Sequence, residues 1–148
     1  MPLAQKIDED LKAAMIAKDA ARLSALRMLK SALKYGAIEK KQDALGDADA
    51  QQVIQKQIKQ RRESIDQFTK NGRPELAETE AQEVRVLEEY LPKQISDADL
   101  SRIAAEEVKA QGASTKKDFG RMMKHMNEKL QGAADSKRIS EALGKLLP

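Results

Sequence analysis

Residues 115–132, TKKDFGRMMKHMNEKLQG, hold a whole helix together with its start and stop signals. The Thr115 hydroxyl can accept a backbone N–H while Asp118, three residues on, reaches back, which supplies both halves of a capping box. Phe119, Met122, Met123, Met126 and Leu130 then recur at helical spacing, so one side of the helix is apolar and the other is not. Gly132 closes it, because a left-handed terminal residue costs least as glycine.

The same grammar repeats in both directions. Downstream, Asp135 caps a last helix whose Ile139, Ala142, Leu143, Leu146 and Leu147 face inward. Upstream, "SDAD" from Ser96 to Asp99 opens a helix carrying Leu100, Ile103, Ala104 and Val108 as far as Gly112. Pro92 disfavours helix at Leu91 and marks a domain boundary. Before it, Leu3, Ile7, Leu11 and Met15 fall four apart on a first helix, and Asp19 caps a second with Leu23, Leu26, Leu29, Ala32 and Leu33. The segment Lys40 to Ala50 is the longest loop, with Asp47 as the expected cap of a long third helix on which Ile54, Ile58, Ile65 and Phe68 form a stripe. Gly72 ends that helix. Pro74, followed by Glu75 and Glu78, opens a fourth that buries Leu87, Tyr90 and Leu91. No run of alternating β-branched residues supports a sheet. The expected fold is all-α: an amino-terminal four-helix domain of paired helices over residues 1–92, then a small three-helix carboxyl-terminal domain over 93–148.

Composition agrees and excludes much chemistry. Of 148 residues, 22 are alanine and 15 leucine, against 13 valine plus isoleucine and four aromatics, which favours helix. With no cysteine and one histidine, His125, thiol nucleophiles, disulfides and multi-histidine metal sites are ruled out. No apolar run reaches the roughly 18 residues of a membrane span, and the opening MPLAQKIDEDLK has no apolar core of signal-peptide type. A soluble, cytoplasmic protein without cofactor or metal is expected. The net charge of +3 is unevenly placed: residues 1–92 balance 16 basic against 16 acidic side chains, whereas residues 93–148 hold 11 against 8. That asymmetry points the carboxyl-terminal part towards an anionic partner.

No glycine-rich phosphate loop is present. His125 would have to serve any hydrolytic triad as its base, and a histidine on a basic helix without motif context reads as an ordinary surface residue. Glu88 and Glu89, like Glu106 and Glu107, are sequence neighbours and point apart on a helix, so they read as solvated charges. Lys117, Arg121 and Lys124 fall at i, i+4 and i+7, opposite or flanking the Phe119–Met122–Met126 stripe, a face able to meet phosphates one helical turn apart. Lys137 and Arg138, in the first turn of the last helix, oppose the dipole preference for acidic side chains there, and that turn offers backbone N–H groups to a phosphate. An ordinary solvated polar face is the competing reading. No exposed aromatic remains in this part, so base stacking is not expected and RNA would be gripped by backbone and shape. A second basic run, Lys56 to Arg62, reads as surface charge on the third helix, neutralised by near neighbours such as Glu63 and Asp66.

Three stretches carry a family resemblance: IDEDLKAAMIAKDAARLSALRMLKSAL, LEEYLPKQISDADL and DFGRMMKHMNEKLQGAADSKRISEAL. Together they resemble the YqeY, or GatB/YqeY-domain, proteins over nearly the whole chain. The resemblance implies a helical amino-terminal domain followed by a three-helix domain related to the tail of the B subunit of the glutamine-dependent aminoacyl-tRNA amidotransferase. In that enzyme the tail is implicated in recognising tRNA, and the catalytic parts lie elsewhere. By position, Gly120, Arg121 and Met123 match the family's G-[KR]-x-M segment, while Gly132, Ala134 and Asp135 match its G-x-A-D turn. The family often has a basic residue where this chain has Ala133, which removes one candidate phosphate contact. Gly120, unfavourable inside a helix, is expected to permit close packing of a neighbouring helix or, failing that, an RNA backbone.

The implied function is a tRNA-binding accessory protein without catalytic residues, using Lys117, Arg121, Lys124, Lys137 and Arg138. The alternatives are a helical adaptor for a synthetase, amidotransferase core or ribosome in the aminoacyl-tRNA pathway, and a carbon–nitrogen ligase with glutamine as amido donor, as the family name suggests.

Overall fold

The computed structural model describes all 148 residues, Met1–Pro148, and contains seven α-helices and no strand. They are α1 (Leu3–Ala17), α2 (Ala20–Glu39), α3 (Asp47–Lys70), α4 (Pro74–Glu88), α5 (Asp97–Ala110), α6 (Phe119–Leu130) and α7 (Ser136–Leu146), with a single 3-10 turn at Lys116–Asp118 leading into α6. Two compact units divide the chain, Met1–Leu91 and Pro92–Pro148.

In the first unit, Ile7 and Leu11 of α1, Leu26, Leu29 and Leu33 of α2, Ile54 and Ile58 of α3, and Val84 and Leu87 of α4 share one apolar cluster. The α1 stripe turns inward at Ala14, 2% exposed, and leaves Met15 52% exposed, so the four-residue spacing overshoots by one position at the helix end. That follows from 3.6 residues per turn, since a strict step of four drifts around the helix. Asp19 caps α2 by accepting from the Arg22 N–H. Asp47 does not cap α3. Gly46 occupies that position, and the Asp47 carboxylate instead accepts from the Leu3 N–H at 2.9 Å, tying the start of α1 to the start of α3. Gly72 follows α3 with φ 70, the left-handed value glycine tolerates, and Pro74 stands in the first turn of α4.

The α3 seam holds a charge. Arg61 lies between Ile58 and Ile65 on the stripe and is buried, donating to Glu80 at 3.0 Å and to the buried Glu83, both on α4. Arg62 reaches Glu88 at 2.8 Å. The Lys56–Arg62 run is therefore not uniformly surface charge with near neighbours. Its arginines reach across to α4, because residue 61 continues the spacing of residues 54, 58 and 65 towards that helix. A second cross-helix cluster joins α1, α2 and the end of α4: the Tyr90 hydroxyl donates to Asp10 at 2.6 Å, and Arg22 donates to Glu89 at 2.6 Å. Burial, followed by the hydrogen bond to Asp10, pushes the Tyr90 phenol well above its ordinary range.

The second unit packs Leu100 and Ala104 of α5, Met122 and Met126 of α6, and Ile139 and Leu143 of α7 into its own cluster, with Phe119, Met123 and Leu130 partly buried at its edge. Met122 and Met126 are fully buried. Ser96 caps α5 through the Asp99 N–H, and Thr115 with Asp118 forms the full capping box before α6.

Candidate nucleic-acid interface

Around α6 the basic side chains divide into two rows. Arg121, His125 and Lys129, four residues apart, face α5. Arg121 donates to the Gln111 carbonyl at 3.2 Å and to Asp118 at 3.1 Å. His125 Nε2 lies 2.6 Å from one oxygen of Glu107, and Lys129 lies 3.1 Å from the other. Those two donors hold the Glu107 carboxyl below its ordinary range. Asp118 is lowered too, first by the Ser114 N–H and then by Arg121. The row is thus a polar seam joining α5 to α6. Sequence adjacency hid this for Glu107, which is no solvated charge; Glu106 pairs with Arg102, Glu88 with Arg62, and Glu89 with Arg22.

Lys117 in the 3-10 turn and Lys124 on α6 stand outside that row, exposed and without an acidic partner. Gly120 lies on the same outer side of α6. A Cβ placed on it would meet nothing within 4 Å, so the expected close helix packing is absent.

At the start of α7, Asp135 takes the Arg138 N–H at 2.8 Å, and its carboxylate occupies the place where a phosphate would meet the helix end. The Arg138 guanidinium turns away, donating to Asp97 at 2.8 Å and to the Ile95 carbonyl at 2.7 Å. The Gly132–Asp135 turn completes the same clasp. Gly132 has φ 93, the Ala133 carbonyl accepts from the Ile95 N–H, the Gly132 carbonyl accepts from Gln94, and Ala134 is 1% exposed. Each residue of the G-x-A-D turn thus has a structural duty: left-handed backbone, close packing and capping. Lys137, next to it, is exposed and has no acidic partner.

Of the five cations selected from sequence, Lys117, Lys124 and Lys137 keep their charge free for a ligand, whereas Arg121 and Arg138 are occupied inside the unit. For Arg138, and for the Gln111 carbonyl that holds Arg121, the partners lie ten to 43 residues away and gave no local signal, whereas the Asp118 partner of Arg121, three residues off, was within reach of the spacing. It also missed the Glu107 seam, for which the spacing of residues 121, 125 and 129 was a usable signal.

A sequence-family profile described as "Yqey-like protein" matches residues 4–147. Curated relatives share the name "Altered inheritance of mitochondria protein 41, mitochondrial". That of Kluyveromyces lactis is 40% identical over 84 residues, 57% of this chain and 45% of the relative. That of Candida glabrata is 36% identical over 106 residues, 70% and 58%. That of Saccharomyces cerevisiae is 35% identical over 82 residues, 55% and 44%. The matched stretches span about half the length of these relatives. Their names overturn the expectation of a cytoplasmic location: a polar helical surface suits any aqueous compartment, so composition held no signal that discriminates among them. No helix is long and apolar enough to cross a membrane.

Proposed function

The chain belongs to the Yqey-like family, and from that premise we propose that it is a tRNA-binding accessory protein in which the carboxyl-terminal unit grips RNA and no ligase chemistry resides. In this reading residues 1–92 and 93–148 act as two domains, four helices and three, and the second meets the polyanion. The observation that carries it is the location of the charge. The whole positive excess, 11 basic against 8 acidic side chains, lies in residues 93–148. Within that unit Lys117, Lys124 and Lys137 have no intramolecular acid to satisfy them.

Arg121 and Arg138 serve by positioning. Arg121 anchors the 3-10 turn that carries Lys117, and Arg138 anchors the turn beside Lys137. With about three phosphate contacts, the logarithm of the binding constant should fall with the logarithm of salt at a slope of roughly −2 to −3. Titration of labelled tRNA with the full chain tests this. Binding at low salt that is lost on Lys117→Glu, Lys124→Glu and Lys137→Glu together supports the reading; no binding at low salt, or binding indifferent to those changes, removes it.

A further inference from the structure

The outer face of α2 is patterned and, apart from Met28, whose sulfur accepts from Arg61 of α3 at 3.3 Å and whose carbonyl accepts from Gln57, it is unpartnered. Ser24, Met28, Ser31, Tyr35 and Ile38 follow one another at alternating steps of four and three residues, the spacing of a two-helix seam. All are exposed: Met28 is 55%, Tyr35 67% and Ile38 65% accessible, although each is a large apolar or aromatic residue. From Met28 to Ile38 they span about 15 Å of helix. The serines between them are small enough to form the holes into which a partner's side chains insert.

The flanks of this seam differ. On one side Arg27 and Lys34, seven residues apart, are exposed and have no acidic partner, whereas Lys30 and Lys40 are taken by Asp8 and Asp49. On the other side Ala25 is buried and Ala32 half-buried, with Glu39 the single acid at the end of the helix. A seam flanked by an unpaired basic row selects a partner with carboxylates along the facing flank.

We propose that the Met28–Ser31–Tyr35–Ile38 seam of α2 docks an amphipathic helix of another protein whose flank towards Arg27 and Lys34 is acidic. A second copy of this chain fits poorly. Antiparallel pairing sets the Arg27 and Lys34 rows against each other, and parallel pairing leaves Arg27 opposite Ala32. Nucleic acid also fits poorly, because Met28 and Ile38 offer a polyanion neither donors nor stacking. This surface is independent of the lysines of the second unit, so either reading can fail alone.

The test uses the full chain and two synthetic helical peptides with leucine along the seam, one with glutamate and one with lysine on the flank. The glutamate peptide is expected to bind, about tenfold more weakly to a Tyr35→Ser/Ile38→Ser variant. Arg27→Glu/Lys34→Glu should reverse the preference between the two peptides. Equal binding of both peptides to the unaltered chain, or binding of neither, overturns the proposal. So does a concentration-dependent dimer abolished by Ile38→Ser, or tRNA affinity lost on Tyr35→Ser. All four positions are exposed, and circular dichroism confirms that each variant folds.

Discussion

Arg61 and Glu83 form the most consequential single contact in the first unit, because both side chains are removed from water and each neutralises the other. Removing Glu83 still leaves Arg61 with Glu80, but removing Arg61 strands the buried Glu83 carboxylate, so Arg61→Met should lower unfolding free energy by about 3–5 kcal/mol, read from urea denaturation. Replacing both with apolar residues of similar volume, Arg61→Met with Glu83→Leu, should cost far less than Arg61→Met alone. Tyr90 gives a pH prediction. Its phenol is raised, so the stability it contributes is present below the ordinary tyrosine range and is lost as pH rises through the higher folded value. In a Tyr35→Phe variant, phenolate absorbance should therefore emerge only when the protein unfolds in alkali. Glu107 and Asp118 have the opposite sign. Their lowered carboxyls contribute above the ordinary carboxylate range and lose that contribution as acid takes pH below it. The pairing of Arg61 with Glu80 and Glu83 was illegible in sequence, since hydropathy spacing cannot say which distant acids an arginine on an apolar stripe will meet.

Helices themselves were legible. Asp19, Ser96, Thr115 and Asp135 cap where local sequence places them, because capping is a contact between residues two or three apart. Asp47 escaped the same logic because its partner, Leu3, is 44 residues away. Gly120 offers a prediction at this scale. Open space surrounds its missing Cβ, so Gly120→Ala should raise thermal stability by up to about 1 kcal/mol through helix propensity alone. If the RNA backbone passes over that face, the same change should weaken tRNA binding while stabilising the fold, a combination that calorimetry and titration on one variant would separate. The site was half legible: spacing found the basic row but could not tell lysines facing water from arginines holding turns together.

Across the whole molecule the charge is divided, balanced in residues 1–92 and basic in 93–148, and that division was plain from counting. The division implies that a polyanion should engage the second unit and leave α2 free for a helical partner. Backbone amide shifts of the full chain on addition of tRNA, recorded by NMR at low salt, test this most directly. Perturbed amides should gather around Lys116, Lys117, Gly120, Lys124 and Lys137 and return to their free positions as salt is raised. Shifts confined to the first unit, or none at any salt, would contradict it.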